Sequence, residues 1–298
     1  MSDVAFAGLA RQAQMVRSGD VTPSELTELY LDRIERLDPD LNAFRTVLAD
    51  RARDDAKAVE ERLARGESDD LPLAGVPVAI KDTEDLEGEV TTWGTAGFDQ
   101  PATADGEMVR RLRAAGAIVV GKTNLPELAI HAFTESKTWG VTRNPWDVTR
   151  SPGGSSGGSG AAVAAGLCAA ASASDGGGSI RIPAAMNGVF GLKPQRDRLP
   201  LSPLTEHWQG LSVVGCLTRS VADTALWLDV VAGGARRGPP PPAGSSWAPV
   251  RGRRCWGARA SGSPTWSSPA GSGSSPPPAP APRRPWPCST AGVPACPT

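Results

Sequence analysis

Histidine is nearly missing from this chain: His131 and His207 are the two found among 298 residues. Histidine is the commonest general base and metal ligand, so a hydrolase built here must find its base elsewhere. Each of the two reads as a surface or structural side chain. Cysteine is also scarce, five residues without paired spacing, which does not suggest a disulfide framework or a zinc site. No cofactor and no metal is expected. No apolar run reaches the roughly 20 residues needed to span a bilayer. The opening "MSDVAFAGLARQAQMVRSGD" lacks a basic stretch followed by an apolar core, so no signal peptide is read and a cytoplasmic chain without membrane contact is expected. Neither sign of charge dominates, with 31 basic against 32 acidic residues, and nothing here draws the chain to nucleic acid.

What is present changes character along the chain. Residues 1–70 read as a helical segment packing on a core. In "VTPSELTELYLDRIERLDPD", Thr22 is placed to cap a helix, Pro23 to occupy its first position and Glu25 to complete a capping box. Leu26, Leu29, Tyr30, Ile34 and Leu37 then recur at helical spacing. The charged "LADRARDDAKAVEERLARG" predicts a solvated surface helix ending near Gly66. From Leu71, "LAGVPVAIKD" and "AAGAIVVGKTN" have the β-branched runs of buried strands, with the amphipathic "GEMVRRLRAAG" between them. Further on come the small-residue helix and strand of "GAAVAAGLCAAASASDGG". "LTRSVADTALWLDVVAG" predicts a helix capped by Thr218 or Ser220, with Asp223 near its start and Gly233 at its end. Strand, helix and strand in this order predict an α/β fold with a largely parallel sheet covered by helices.

Three motifs carry candidate chemistry. "GAIVVGKT", Gly116 to Thr123, fits the pattern of a phosphate-binding loop, but Ala117–Val120 read as the strand itself, and an extended run cannot curl round a phosphate. "SPGGSSGGSGAAVAAG", Ser151 to Gly166, holds six glycines and four serines, a composition that by itself suggests a flexible linker. Lys81 ends the apolar "GVPVAIKDT". There it either snorkels to water, pairs with Asp82, or loses solvation and becomes a neutral base. In "SDGGGSIRIPAA", three glycines before Ser179 permit a tight turn with several N–H groups aimed one way, as an oxyanion hole requires. A serine ending such a turn can attack a carbonyl if a base takes its proton.

In order and spacing, "GVPVAIKD", "GKTN", "TRNPWD", "SPGGSSGGSGAAVAAG" and "DGGGSIRIPAA…GLKP" resemble the amidase signature family, from about Leu71 to Gly234. The resemblance implies an α/β/α sandwich around a mixed, largely parallel sheet, and a Ser–cis-Ser–Lys triad that hydrolyses amides through an acyl-enzyme. It implies Ser179 as nucleophile, Ser155 as bridging serine after a cis peptide from Gly154, and Lys81 as general base. The N–H groups of Gly176, Gly177, Gly178 and Ser179 are then expected to hold the oxyanion. Ser156, Asp175 and Arg181 are expected to support that geometry through hydrogen bonds. The substrate implied is a small-molecule amide.

Two further readings stay open: the amidase component of a tRNA-dependent amidotransferase, and a non-catalytic truncated fragment. "LKPQRDRLPLSP" followed by "EHWQGLSVVG" favours a stand-alone amidase. Residues 71–234 are taken as the signature core. Residues 235–298 contain 16 of the 28 prolines but no Asp, Glu, Lys, Leu, Ile or Phe. A segment without aliphatic anchors is expected to be disordered. Its four tryptophans and three cysteines beside Ala, Gly, Pro and Arg fit a slip of reading frame in GC-rich DNA. Family members extend well beyond the equivalent of Gly234, so truncation would leave apolar surface open to self-association.

Overall fold

Three helices open the chain: α1 (Ser2–Ala5), α2 (Leu9–Ser18) and α3 (Pro23–Leu41). The capping box forms as its residues prescribe. Thr22 Oγ1 accepts from the Glu25 N–H at 3.1 Å, while Glu25 Oε2 accepts from the Thr22 N–H at 2.8 Å. Leu26, Tyr30 and Ile34 are buried along one face of α3. The helix stops at Asn42, which takes the left-handed conformation that Asn tolerates. In the computed structural model, residues 2–204 and 208–233 are described, and they form one compact unit. His207 and the segment 235–298 lie outside the described residues.

The chain continues through β1 (Phe44–Val47), α4 (Ala49–Ala64), β2 (Pro77–Lys81), α5 (Glu107–Ala114), β3 (Ile118–Thr123), β4 (Glu135–Ser136) and β5 (Gly140–Val141). It then forms α6 (Gly157–Ala164), β6 (Ala170–Asp175), α7 (Arg181–Asn187), β7 (Phe190–Leu192), β8 (Val213–Thr218) and α8 (Val221–Val231). Six strands make one sheet in the order β1-β3-β2-β6-β8-β7. β3, β2 and β6 are mutually parallel; β1 and β8 pair antiparallel with β3 and β6, and β7 pairs antiparallel with β8, so that it runs in the direction of the central strands. This is the mixed α/β sheet expected, its parallel part lying at the centre.

The first seventy residues do more than pack on that sheet. They supply its edge strand β1, with Phe44 opposite Thr123. Four residues are too few to show an alternating pattern, and their partner lies far along the chain. The helix expected around Ala49–Ala64 forms, burying Ala52, Ala56 and Val59 and leaving its charges outward. Ser220, not Thr218, caps α8, accepting from the Asp223 N–H at 3.2 Å. Thr218 is still the last residue of β8.

Strand alternation sorts the core into two layers. Val78, Ile80, Val119, Val214 and Cys216 join Leu26, Tyr30, Met108, Leu112 and Trp227 on one face. Ala79, Ile118, Val120, Ala171 and Leu217 meet Ala161, Ala162, Val163 and Ala184 on the other. The small residues of α6 let that helix lie close against the sheet. Because β2, β3 and β6 run the same way, their C-terminal residues Lys81, Thr123 and Asp175 come out at one edge, where parallel sheets present binding sites.

Candidate active site

Most of the Gly/Ser stretch is buried, with Pro152 to Val163 closed off from solvent. Close approach explains its glycines. A Cβ on Gly158 would stand 2.5 Å from the carbonyl oxygens of Ala43 and Asn124, and one on Gly154 would meet Phe133 O at 2.6 Å. Composition suggests a linker only while those neighbours are unknown. The Gly154–Ser155 peptide is cis. Immediately after the serine pair, α6 begins, so its N-terminus adds partial positive charge beside them. Its other end is held by two guanidiniums. Arg33 donates to the carbonyls of Ala165 and Gly166, and Arg219 to those of Val163 and Ala164.

Lys81 is fully buried, and its Nζ lies 2.8 Å from Ser155 Oγ and 2.8 Å from Ser174 Oγ. Among the described residues it has no ion-pair partner. Burial therefore dominates its titration and lowers its pKa to about 7, opposed by the charges of Glu84 and Asp175. The pairing with Asp82 does not form. Asp82 instead meets Arg45 Nε at 2.9 Å and Lys122 Nζ at 2.9 Å, and accepts from Thr92. Lys122, the lysine of the phosphate-loop pattern, thus lies in strand β3 and serves a buried ion pair.

Ser156 joins the serine loop to the glycine turn. Its N–H donates to Ser179 O at 3.3 Å, and its Oγ accepts from the Ser174 N–H at 3.3 Å. Ser179 is half-buried at the end of the turn, and its hydroxyl makes no hydrogen bond among the described residues, Ser155 included. One half of the expected relay, Lys81 to Ser155, is in contact; the other half is held near only through the backbone.

Asp175 organises the turn. Buried itself, it accepts from the N–H groups of Gly178 (2.8 Å), Ile180 (3.2 Å) and Arg181 (3.4 Å), and from Arg181 Nε and Nη2 at 2.9 Å each. Burial pushes this carboxyl up, but the guanidinium and the backbone donors outweigh it and hold the pKa below the usual aspartate value. This corrects one oxyanion donor: the Gly178 N–H is committed to Asp175 and unavailable to a substrate. Gly177 and Ser179 donate no hydrogen bond among the described residues. The Trp208 ring packs against Gly176, where a Cβ would meet it at 2.7 Å.

Two residues of this neighbourhood escaped the sequence reading, Ser172 and Ser174. Their only signal is a pair of serines two apart in an alanine strand. His131 lies exposed, its ring stacked on that of Phe133 with centroids 5.0 Å apart. Among the described residues no cluster of His, Cys, Asp or Glu is arranged to hold a metal ion, and no helix is long and apolar enough to cross a membrane.

A family model described as "Amidase" matches residues 25–246. The chain is 61% identical to a Mycobacterium tuberculosis protein named "Putative amidase AmiB2", over 76% of this chain and 49% of that one. It is 47% identical to a glutamyl-tRNA(Gln) amidotransferase component of Prochlorococcus marinus, over 76% of this chain and 46% of the relative. A solved 6-aminohexanoate cyclic dimer hydrolase in complex with substrate superposes with a TM-score of 0.73 at 39% identity, covering 84% of this chain and 50% of that one. The chain spans about half the length of the curated relatives it matches.

Proposed function

The chain belongs to the amidase signature family, and on that premise we propose that it hydrolyses a carboxamide to a carboxylate plus ammonia or an amine. One observation carries the reading: a buried lysine amine, without an ion-pair partner among the described residues, stands 2.8 Å from the hydroxyl of a serine that follows a cis peptide. A neutral amine in that position accepts the Ser155 proton as Ser155 takes one from Ser179. Ser179 Oγ forms a bond to the amide carbon, and the carbonyl π pair moves to oxygen. The N–H groups of Gly176, Gly177 and Ser179 stabilise that oxyanion, usually the largest electrostatic contribution. As the C–N bond breaks, the proton returns through Ser155 to the departing nitrogen. Water then attacks the ester carbon, giving a proton to Ser155 as Ser155 passes its own to Lys81; the bond to Ser179 Oγ breaks, Oγ takes the proton back through Ser155, and the acid leaves. Ser156, Asp175 and Arg181 keep the loop and the turn in register.

The greater likeness to the AmiB2 protein than to the amidotransferase component supports a stand-alone enzyme. Mass spectrometry of the purified chain after treatment with a fluorophosphonate tests the mechanism, with the adduct expected on Ser179 and absent from Ser179→Ala. An adduct confined to Ser155 or Ser156 would reverse the assignment. Glutamine-dependent transamidation on adding partner proteins would favour the amidotransferase reading instead.

A further inference from the structure

Strand β6 grips Lys81 at both ends. The Lys81 main-chain N–H donates to Ser172 Oγ at 2.8 Å, and Lys81 Nζ lies 2.8 Å from Ser174 Oγ. The backbone pairing of β2 with β6 extends over Val78–Ala170 and Ala79–Ala171. Where that ladder ends, the Ser172 hydroxyl takes the place of a main-chain acceptor. Ser174 is itself fixed. It pairs with Val214 of β8, its N–H donates to Ser156 Oγ, and Ser156 follows Ser155 in the chain. Lys81, Ser155, Ser156 and Ser174 therefore close a ring of contacts.

We infer that Ser174 is a positioning residue: its hydroxyl accepts a hydrogen bond from the Lys81 amine and thereby turns the nitrogen lone pair toward Ser155. The inference rests on the reading of Lys81 as base. An ammonium carries three N–H donors and no lone pair, whereas a neutral amine carries two donors and one lone pair. With two hydroxyls at equal distance, a neutral amine has two arrangements, and only one of them can receive the Ser155 proton. Ser174 serves the reaction when it is the acceptor and Ser155 the donor. Without an acceptor at position 174, the amine rotates freely, and an N–H can face Ser155 in place of the lone pair. The titratable groups that bear on Lys81 are Glu84, from the turn after β2, whose own carboxyl burial pushes up to about 7, and Asp175, at the end of β6; when ionised, both favour the ammonium. A hydroxyl acceptor also favours the ammonium, because hydrogen bonds to charged donors are the stronger kind. Removing it lowers the pH at which the base becomes active while slowing the proton transfer itself.

The experiment follows fluorophosphonate labelling of the purified full chain across neutral pH, resolving the maximal rate from the probe's half-saturation concentration. Ser174→Ala is expected to cut the maximal rate about tenfold, the scale of one lost hydrogen bond to a charged or reacting group. Half-saturation should stay within about twofold, since a positioning residue does not touch the probe. The acid limb should move to lower pH, and Ser174→Thr should restore most of the rate. An unchanged rate and limb in Ser174→Ala, a Thr variant as slow as the Ala variant, or a change in half-saturation alone would each overturn the inference. If Ser174→Ala does not fold, Ser174→Cys, similar in shape but a weak acceptor, is judged by the same criteria. Lys81→Met separates the two levels. If it labels like the wild type, the base assignment falls. If it is silent while Ser174→Ala is normal, the positioning role alone falls. A wild type that does not label removes the triad and this inference with it.

Discussion

Two buried lysines stand one register step apart at the same edge of the sheet, Lys81 ending β2 and Lys122 near the end of β3. Lys122 Nζ has a carboxylate 2.9 Å away in Asp82, with Val90 O and Thr91 Oγ1 completing its shell. Lys81 Nζ has two hydroxyls. Burial depresses both amines, but at Lys122 the ion pair opposes it directly, whereas at Lys81 the opposing charges act from beyond contact. One lysine is therefore a structural cation, and the other is suited to work as a neutral base. Strand-end burial by itself does not make a base; the polar atoms within reach decide what the nitrogen does.

The sharpest way to break this comparison is to remove each amine in turn. Lys81→Met should reduce fluorophosphonate labelling about a thousandfold, within the range general base catalysis contributes, while the protein remains folded. Lys122→Met should do the reverse. Leaving Asp82 short of a cation is expected to cost about 3 kcal/mol in urea unfolding, with labelling per folded molecule retained. A Lys122→Met protein that is stable but inactive would show that the two amines share one task.

The pH dependence sharpens the same contrast. With Lys81 lowered to about 7, labelling should rise as pH passes through that value, since the amine accepts a proton only when deprotonated. The linkage to stability has a definite sign. Below about 7 both folded and unfolded Lys81 are protonated; between there and the ordinary 10.5 only the unfolded chain holds the proton. This group accordingly makes the fold more stable as pH rises through that window, and the contribution is absent below it. A labelling rate flat across neutral pH would remove Lys81 from the rate-controlling step.

The smallest expected effect lies far from either lysine. Thr22→Ala removes the acceptor of the capping box and should cost about 1 kcal/mol of stability without altering labelling. A fall in labelling would mean that α3 is coupled to the catalytic edge.

The helix start at Thr22, the strand ending at Lys81, the strand around Val119 and Val120, and the turn before Ser179 were all legible, because their signals are complete within a few residues. Caps, alternation and glycine turns depend on neighbours three or four positions away. The ordered blocks of the amidase signature also brought Lys81, Ser155 and Ser179 into one hypothesis. Strand β1 was missed because four residues show no period, and Ser174 because two serines in an alanine strand do not reveal what they face.

By itself, then, the sequence determined the local elements, the scarcity of histidine that turns attention to lysine, and the glycines that keep the backbone free of Cβ atoms. Tertiary structure alone decided the chemistry of each polar atom. It closed the Gly/Ser stretch into the core, gave Asp82 to Lys122 and Arg45, committed the Gly178 N–H to Asp175, and left Lys81 with hydroxyls. The partners of Lys81 Nζ lie 74 and 93 positions away along the chain. At that separation, contact is set by strand order and by helix α6 packing on the sheet, because hydrogen bonds form only within about 3 Å and no local pattern can encode such a distance.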